Sequence, residues 1–175
     1  TLDTLSGGRF RLGLGLSGPQ VSEGWHGVRF DHPMQRTREY VEIIRKILAR
    51  EERLTHAGPE YPIPAIGGMD LGKALNVMTH PVRKDLPIFI GAEGPKNVAL
   101  AAEIADGWFP IFYAPRHEEL YLSHLKEGWS RPGARTTPDK FEILPTVNTW
   151  LASFASLVIF CFGLLREDIS KSSSF

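Results

Sequence analysis

The chain has 175 residues, 20 basic and 20 acidic side chains, and a single cysteine, Cys161. That length fits one domain with enough apolar material for a core. The even charge, with no basic block, excludes a nucleic-acid-binding surface. One cysteine excludes an internal disulfide framework and fits a reducing compartment. No secretory pattern occupies the first residues, so the expected location is cytoplasmic.

In chain order, Phe10–Leu16 (FRLGLGL) is a strand entered through Gly7 and Gly8, and Ser17–Gly27 is a loop because Gly and Pro recur too often for a helix. Asp31 or His32 caps the next helix, with Pro33 in its first turn. The strongest helical pattern covers Gln35–Glu51, with Tyr40, Ile43, Ile44, Ile47 and Leu48 as its apolar face and the charged residues on a solvated face. Arg53–Met69 is a Gly- and Pro-rich loop with a short hairpin around Leu54–Ile63, and Ala74–Met78 is a further short strand.

Pro87–Phe112 is the most informative stretch. It reads as a strand over Pro87–Ala92 and a turn freed by Gly91 and Gly94. A helix follows from Pro95, with Val98, Ala101, Ala102 and Ala105 on one face, and a second strand over Trp108–Phe112. Such a βαβ unit implies parallel pairing. A helix over Arg116–Gly128 and a last strand, Phe141–Val147, complete an alternating α/β pattern. Two architectures fit it, a doubly wound open sheet and a (β/α)8 barrel or a large piece of one. A complete barrel runs to about 200–250 residues, so several strands are missing from the count.

The turn Gly91–Asn97 leaves the N–H groups of Gly94, Lys96 and Asn97 at a helix N-terminus, a geometry that binds phosphate. An ordinary βα turn with a Pro start is the alternative. Glu93 opposes an anion there unless it turns outward or accepts a hydrogen bond from a ligand hydroxyl. Arg36 and Arg38 lie in the first turns of the long helix, where its dipole disfavours cations. A bound phosphate explains them, and plain surface arginine is the alternative. Gly13, Gly15 and Gly18 spell the dinucleotide fingerprint, but no helical period follows them until Tyr40. The six histidines show no metal-ligand spacing and no metal is expected; His26, in the loop after the first strand, is the one placed for a role.

Three separated blocks, Leu5–Asp31, Arg36–Leu48 and Ile88–Phe112, together resemble the luciferase-like monooxygenase superfamily, most closely its branch that uses the deazaflavin coenzyme F420. The resemblance covers roughly Leu5 to Val147. It implies a partial (β/α)8 TIM barrel of the bacterial luciferase-like type, lacking its first strands and its closing strand, and an oxidoreductase transferring a hydride between a small organic substrate and F420. An FMN-dependent monooxygenase and a non-catalytic truncated remnant are the alternatives. By resemblance, Glu93, Gly94, Lys96 and Asn97, with Gly91 and Ala92, hold the cofactor phosphate. Arg36 is the matching arginine, with Arg38 as second choice, and Ser17, Gln20 and Val21 line the cofactor's tail or ring. No catalytic acid or base can be named, because the family's first strands would precede Thr1.

The expected partners are a small-molecule substrate and a second copy of the chain. The domain is expected to span residues 1–147. Residues 148–175 form an apolar, then Ser-rich tail of doubtful origin: Trp150–Leu165 suits a buried helix, a membrane anchor or a break in the reading frame, and at sixteen residues it falls short of the about 20 that a span needs.

Overall fold

The computed structural model describes residues 1–69 and 71–146, together with the backbone of 149–150 and 158–159. After a short helix α1 (Leu2–Leu5) come β1 (Leu12–Gly15), a helical turn α2 (Pro19–Ser22) and the long helix α3 (Pro33–Ala49). They are followed by β2 (Ile88–Gly91), α4 (Pro95–Ile104), β3 (Gly107–Trp108), α5 (Glu118–Trp129) and β4 (Glu142–Ile143). A separate antiparallel pair joins β5 (Thr149–Trp150) and β6 (Val158–Ile159).

The four strands β1–β4 lie side by side in chain order, all parallel. The register pairs Leu12 with Ile88, Leu14 with Ile90 and Gly15 with Gly91. Ile88 and Ile90 pack in one core with Val41 of α3, Val98, Ala101 and Ala102 of α4, Leu125 of α5 and the partly buried Leu12 and Leu14. Each of these helices therefore meets the same face of the sheet. On the other face Phe89 lies against Gly107, where a Cβ would overlap its ring and approach Glu142 O to 2.6 Å. Arg11 is placed over the Phe89 ring, 5.4 Å from its centroid, and pairs with Glu142 of β4. A sheet with helices on one face and strands in sequential order is a sector of a barrel wall; a doubly wound sheet carries helices on both faces.

Several local expectations change. α3 starts two residues before the predicted Gln35 and buries Glu39, Val41 and Ile43, whereas Tyr40 is 48% exposed. Its charged residues do not form a solvated face: Glu39 is buried, and Arg38 and Arg45 bind carboxylates at or just beyond α4. The loop after β1 contains the helical turn α2, started by Pro19 at its first position. The Leu54–Ile63 hairpin shrinks to one bridge, His56 with Ile63. Residues 74–78 form no strand, and Leu75 and Met78 are exposed there. The helix expected from Arg116 begins as a 3-10 turn, Pro115–His117, before α5. The last parallel strand is only Glu142–Ile143; Val147, Cys161 and most of the apolar tail lie outside the described residues. Among the described residues no helix is long and apolar enough to cross a membrane.

Charge ties the N-terminal ends of the strands. Asp106, just before β3, accepts the Ile88 N–H at 2.8 Å and Arg45 at 2.9 Å on one oxygen, and Arg135 at 3.2 Å on the other. Farther along, Glu103 of α4 receives both Arg38 nitrogens, at 2.5 and 2.8 Å, and Arg131 at 2.9 Å, and these guanidinium hydrogen bonds, Arg38's foremost, hold its pKa down.

Candidate functional site

The opposite, C-terminal ends of β1 and β2 release their loops side by side, because Gly15 and Gly91 are paired. The loop from β2 runs Ala92–Glu93–Gly94 into α4. Gly94 is the residue before the helix, has φ −78°, and makes no side-chain cap. Neither Gly91 nor Gly94 is left-handed, so the turn does not need the backbone freedom expected of them. What Gly94 offers is room: a Cβ there would meet nothing within 4 Å.

Among the described residues the N–H groups of Gly94, Lys96 and Asn97 have no acceptor; the first bond back to the turn is from Val98 N–H to Gly94 O, at 2.9 Å. Pro95 has no N–H to satisfy. Asn97 Oδ1 is buried and has no partner among the described residues. A helix of ten residues thus presents three free donors, its positive dipole end, the exposed Lys96 ammonium and one orphaned amide. Orphaned buried polar atoms are rare enough to need a reason, and an anionic ligand bearing hydroxyl groups supplies one.

Glu93 does not face this donor set as a free charge. Its Oε1 accepts the Ile111 N–H at 2.7 Å, which ties the carboxylate to the chain beyond β3 and leaves its charge in place. Ala92 is buried, and its carbonyl accepts Trp108 Nε1–H at 2.7 Å.

Arg36 is less available than expected. Its guanidinium lies 3.3 Å from Glu60 and 3.8 Å from Asp31, donates to Arg29 O at 2.9 Å and covers the Tyr61 ring. It lines a cavity of about 500 Å³ between the ends of β1 and β2, the loop after β1 and the start of α3. Leu14, Leu16, Ile90, Tyr40 and Tyr61 form apolar walls, and Ser22, His26, Arg29 and Asp31 supply polar groups. No residue of Ala92–Asn97 lines it, so the structure does not bring Arg36 and the phosphate-type turn into one cavity. Arg38, the second choice, is committed to Glu103 on the helical side.

Ser17 opens the loop after β1 in a left-handed conformation, φ 60°, which is strained for a non-glycine residue. Gln20 and Val21 sit exposed on α2, and neither lines the cavity. His26 does, and stacks on Trp25 with ring centroids 6.3 Å apart. Asp31, His32 and Glu60 bring three ligand-type atoms within 4.8 Å of one another; Arg29 and Arg36 sit on the same carboxylates, so that charge is already met.

Sequence reasoning missed Glu39 and the loop that closes on it. Glu39 collects Gln35 at 2.7 Å, His56 at 3.3 Å and the N–H groups of Glu60 and Tyr61 at 3.1 and 3.0 Å. Burial pushes its pKa up, and these hydrogen bonds, Gln35's foremost, outweigh that and hold it below the ordinary value. The loop so anchored carries Glu60 and Tyr61 to Arg36.

In (β/α)8 barrels the carboxyl ends of the strands, where this donor set lies, carry the active-site loops. Residues 1–153 match the luciferase-like monooxygenases, and the chain belongs to that family. It is 56% identical, over 96% of its length and 52% of the relative's, to a protein of Mycobacterium tuberculosis whose name assigns it to the coenzyme F420-dependent oxidoreductases. It is 32% identical, over 76% of its length and 36% of the relative's, to the 5,10-methylenetetrahydromethanopterin reductase of Archaeoglobus fulgidus. Among solved structures it superposes on an F420-dependent secondary alcohol dehydrogenase with a TM-score of 0.67 at 20% identity, covering 83% of this chain and 41% of that one. The F420-dependent tetrahydromethanopterin reductase of Methanopyrus kandleri follows at 0.64 and 21%, covering 82% and 42%. These two likenesses establish the luciferase-like barrel fold. The chain spans about half or less of the length of these relatives.

Proposed function

We propose that this chain forms the phosphate-holding sector of an F420-dependent oxidoreductase that transfers a hydride between a small organic substrate and the deazaflavin. The observation that carries the reading is the start of α4. Three N–H groups unpaired among the described residues, with Lys96 and the orphaned Asn97 oxygen, sit in the first turn of a helix that starts at a strand's carboxyl end. The names of the 56% and 32% identical relatives support F420-type chemistry.

The donor set fits the cofactor's phosphate arm. The N–H groups of Gly94, Lys96 and Asn97 bind phosphate oxygens, the Lys96 ammonium balances their charge, and Asn97 Oδ1 accepts from a neighbouring hydroxyl. When bound, the deazaflavin supplies the hydride acceptor or donor. Ser17, Gln20 and Val21 follow β1, whose carboxyl end pairs with that of β2, and the family resemblance gives them the cofactor's tail or ring. Arg36 adds a guanidinium one cavity away, already shared with Asp31 and Glu60.

Titration of the full chain with F420 and with FMN, followed by fluorescence, tests the reading. Micromolar binding of F420 with weaker FMN is expected. Lys96→Ala and Asn97→Ala each weaken F420 about five- to tenfold, as loss of a charge-assisted or buried hydrogen bond does, and Arg36→Ala has the smaller effect. A folded chain that binds neither cofactor overturns the reading and leaves a non-catalytic remnant.

A further inference from the structure

We propose that Trp108 and Glu93 are positioning residues that lock the phosphate-binding turn, acting from the β2–β3 junction rather than by touching the cofactor. The inference rests on the function proposed above.

The β2–β3 ladder stops early. Its register pairs Phe89 with Gly107 and Ile90 with Trp108, and the Phe109 N–H still reaches Ile90 O at 3.0 Å. Pro110 faces β4, where its carbonyl accepts the Thr146 N–H at 3.2 Å, so the next N–H that could face β2 and reach Ala92 O is that of Ile111, and it turns to the Glu93 carboxylate instead. Two side-chain bonds take over the missing rungs. Trp108 Nε1–H donates to Ala92 O at 2.7 Å, and the Ile111 N–H donates to Glu93 Oε1 at 2.7 Å. Successive residues of the turn are thus held, one by an indole from β3 and the next through its own carboxylate to the chain beyond β3.

The indole is itself enclosed. Trp108 is fully buried, with Tyr121 and Tyr113 at ring-centroid distances of 5.4 and 6.2 Å, and these two stack on each other at 5.4 Å. Gly94, immediately after the two pinned residues, has open space beside it and no cap of its own. Without the two bonds the free donors of Gly94, Lys96 and Asn97 would have to be ordered when the ligand arrives. With them the ordering is done on folding, and affinity rises accordingly.

Glu93 has a second consequence. Only its acceptor oxygen is needed for this role, and its charge opposes a phosphate. Glutamine keeps the acceptor and removes the charge.

The test is F420 titration of wild type, Lys96→Ala, Trp108→Phe, Glu93→Ala and Glu93→Gln, with a thermal melt of each. Trp108→Phe keeps the aromatic body and deletes the donor. It and Glu93→Ala are expected to raise the Kd about five- to tenfold. Glu93→Gln should stay within about twofold of wild type, or bind tighter. Glu93 is exposed, so Glu93→Ala should melt within about 2 °C of wild type, which keeps the proposal testable if Trp108→Phe folds poorly. Wild-type affinity in Glu93→Ala, with Lys96→Ala weakened, overturns the proposal and leaves the phosphate site standing. Glu93→Gln as weak as Glu93→Ala also overturns it, since the charge would then be the working element. Wild-type affinity in Lys96→Ala, or no binding by wild type, overturns the site and this inference together.

Discussion

Glu39→Ala is expected to cost about 2–4 kcal/mol of folding stability, and the number follows from what the carboxylate holds. The side chain is 3% exposed and accepts four hydrogen bonds, two of them from the backbone N–H groups of Glu60 and Tyr61. A buried donor left without an acceptor costs about 1–3 kcal/mol. The loop is only partly buried, so water recovers some of that for the two N–H groups, and Gln35 can turn to solvent. Glu39→Gln keeps the shape and one acceptor oxygen and should lose about half as much. Urea unfolding gives the global figure, and hydrogen exchange at the Glu60 and Tyr61 amides gives the local one. The pH dependence has a definite sign. Hydrogen bonding holds the native pKa of Glu39 below its ordinary value. Its contribution is therefore complete above the unfolded value of about 4.3 and disappears as the pH falls through the lower native value. The cost of Glu39→Ala should shrink on the acid side. A loss below about 1 kcal/mol at neutral pH, or unchanged exchange at Glu60 and Tyr61, would refute the reasoning.

Gly58→Ala should reproduce part of this effect, because its Cβ would overlap Glu39 Oε2 and His56 Nε2. About 1–3 kcal/mol is expected from overpacking, and the double variant with Glu39→Ala should lose less than the sum in urea unfolding. Gly128→Ala drives a methyl into Ala99 O and to 2.6 Å from the Ala102 Cβ, where α5 packs on α4; a similar loss should appear as a lower urea midpoint. Arg38→Lys gives up a two-pronged contact with Glu103 that an ammonium cannot copy. At its partial exposure the cost is below about 1 kcal/mol, with F420 affinity unchanged. A weakened affinity would return Arg38 to the cofactor site.

The βαβ unit was legible because each of its signals is local. An apolar run marks β2, Pro95 starts the helix and the small residues Ala101, Ala102 and Ala105 mark its buried face, all three fully buried; the second strand, expected over Trp108–Phe112, is Gly107–Trp108 instead, and Ile111 and Phe112 are exposed. The long helix was legible in existence but not in orientation. Tyr40 fits the apolar period as well as Val41 does, but Val41 packs in the core with Ile88 and Ile90, and the loop 54–63 buries Glu39 beside it by bringing His56 and two backbone N–H groups to the carboxylate. That partnership spans 17 to 22 residues of chain with no motif. Arg36 and Arg38 stood out correctly as cations at a helix start, but the dipole argument names only the need for an anion. Asp31 and Glu60 meet it for one arginine and Glu103 for the other, and both answers come from tertiary packing. The strand expected at 74–78 failed for the converse reason: among the described residues its backbone is met by a single bond, from Leu54 N–H to Leu75 O at 3.0 Å, and Leu75 and Met78 stay exposed.

The two ends of the same four strands are finished in opposite ways, and this asymmetry argues for where ligand binds. At the N-terminal ends Asp106 takes a backbone N–H of β2 and two guanidinium groups, and Asp85 pairs with Arg135. Donors and acceptors there are matched within the protein, as befits a face that only stabilises. At the C-terminal ends the chain spends an indole N–H and a carboxylate on holding the turn still. Among the described residues it nonetheless leaves the donors of Gly94, Lys96 and Asn97 unmatched, with a buried amide oxygen beside them. Order without satisfaction costs stability, and a helix start could be capped by a single Ser or Asp at position 94. A glycine with open space beside it stands there instead. A cap at that position would fill the donors from within, so Gly94→Asp should stabilise the start of α4 while weakening F420. Tighter or unchanged F420 binding in that variant would mean that the open donors serve no ligand.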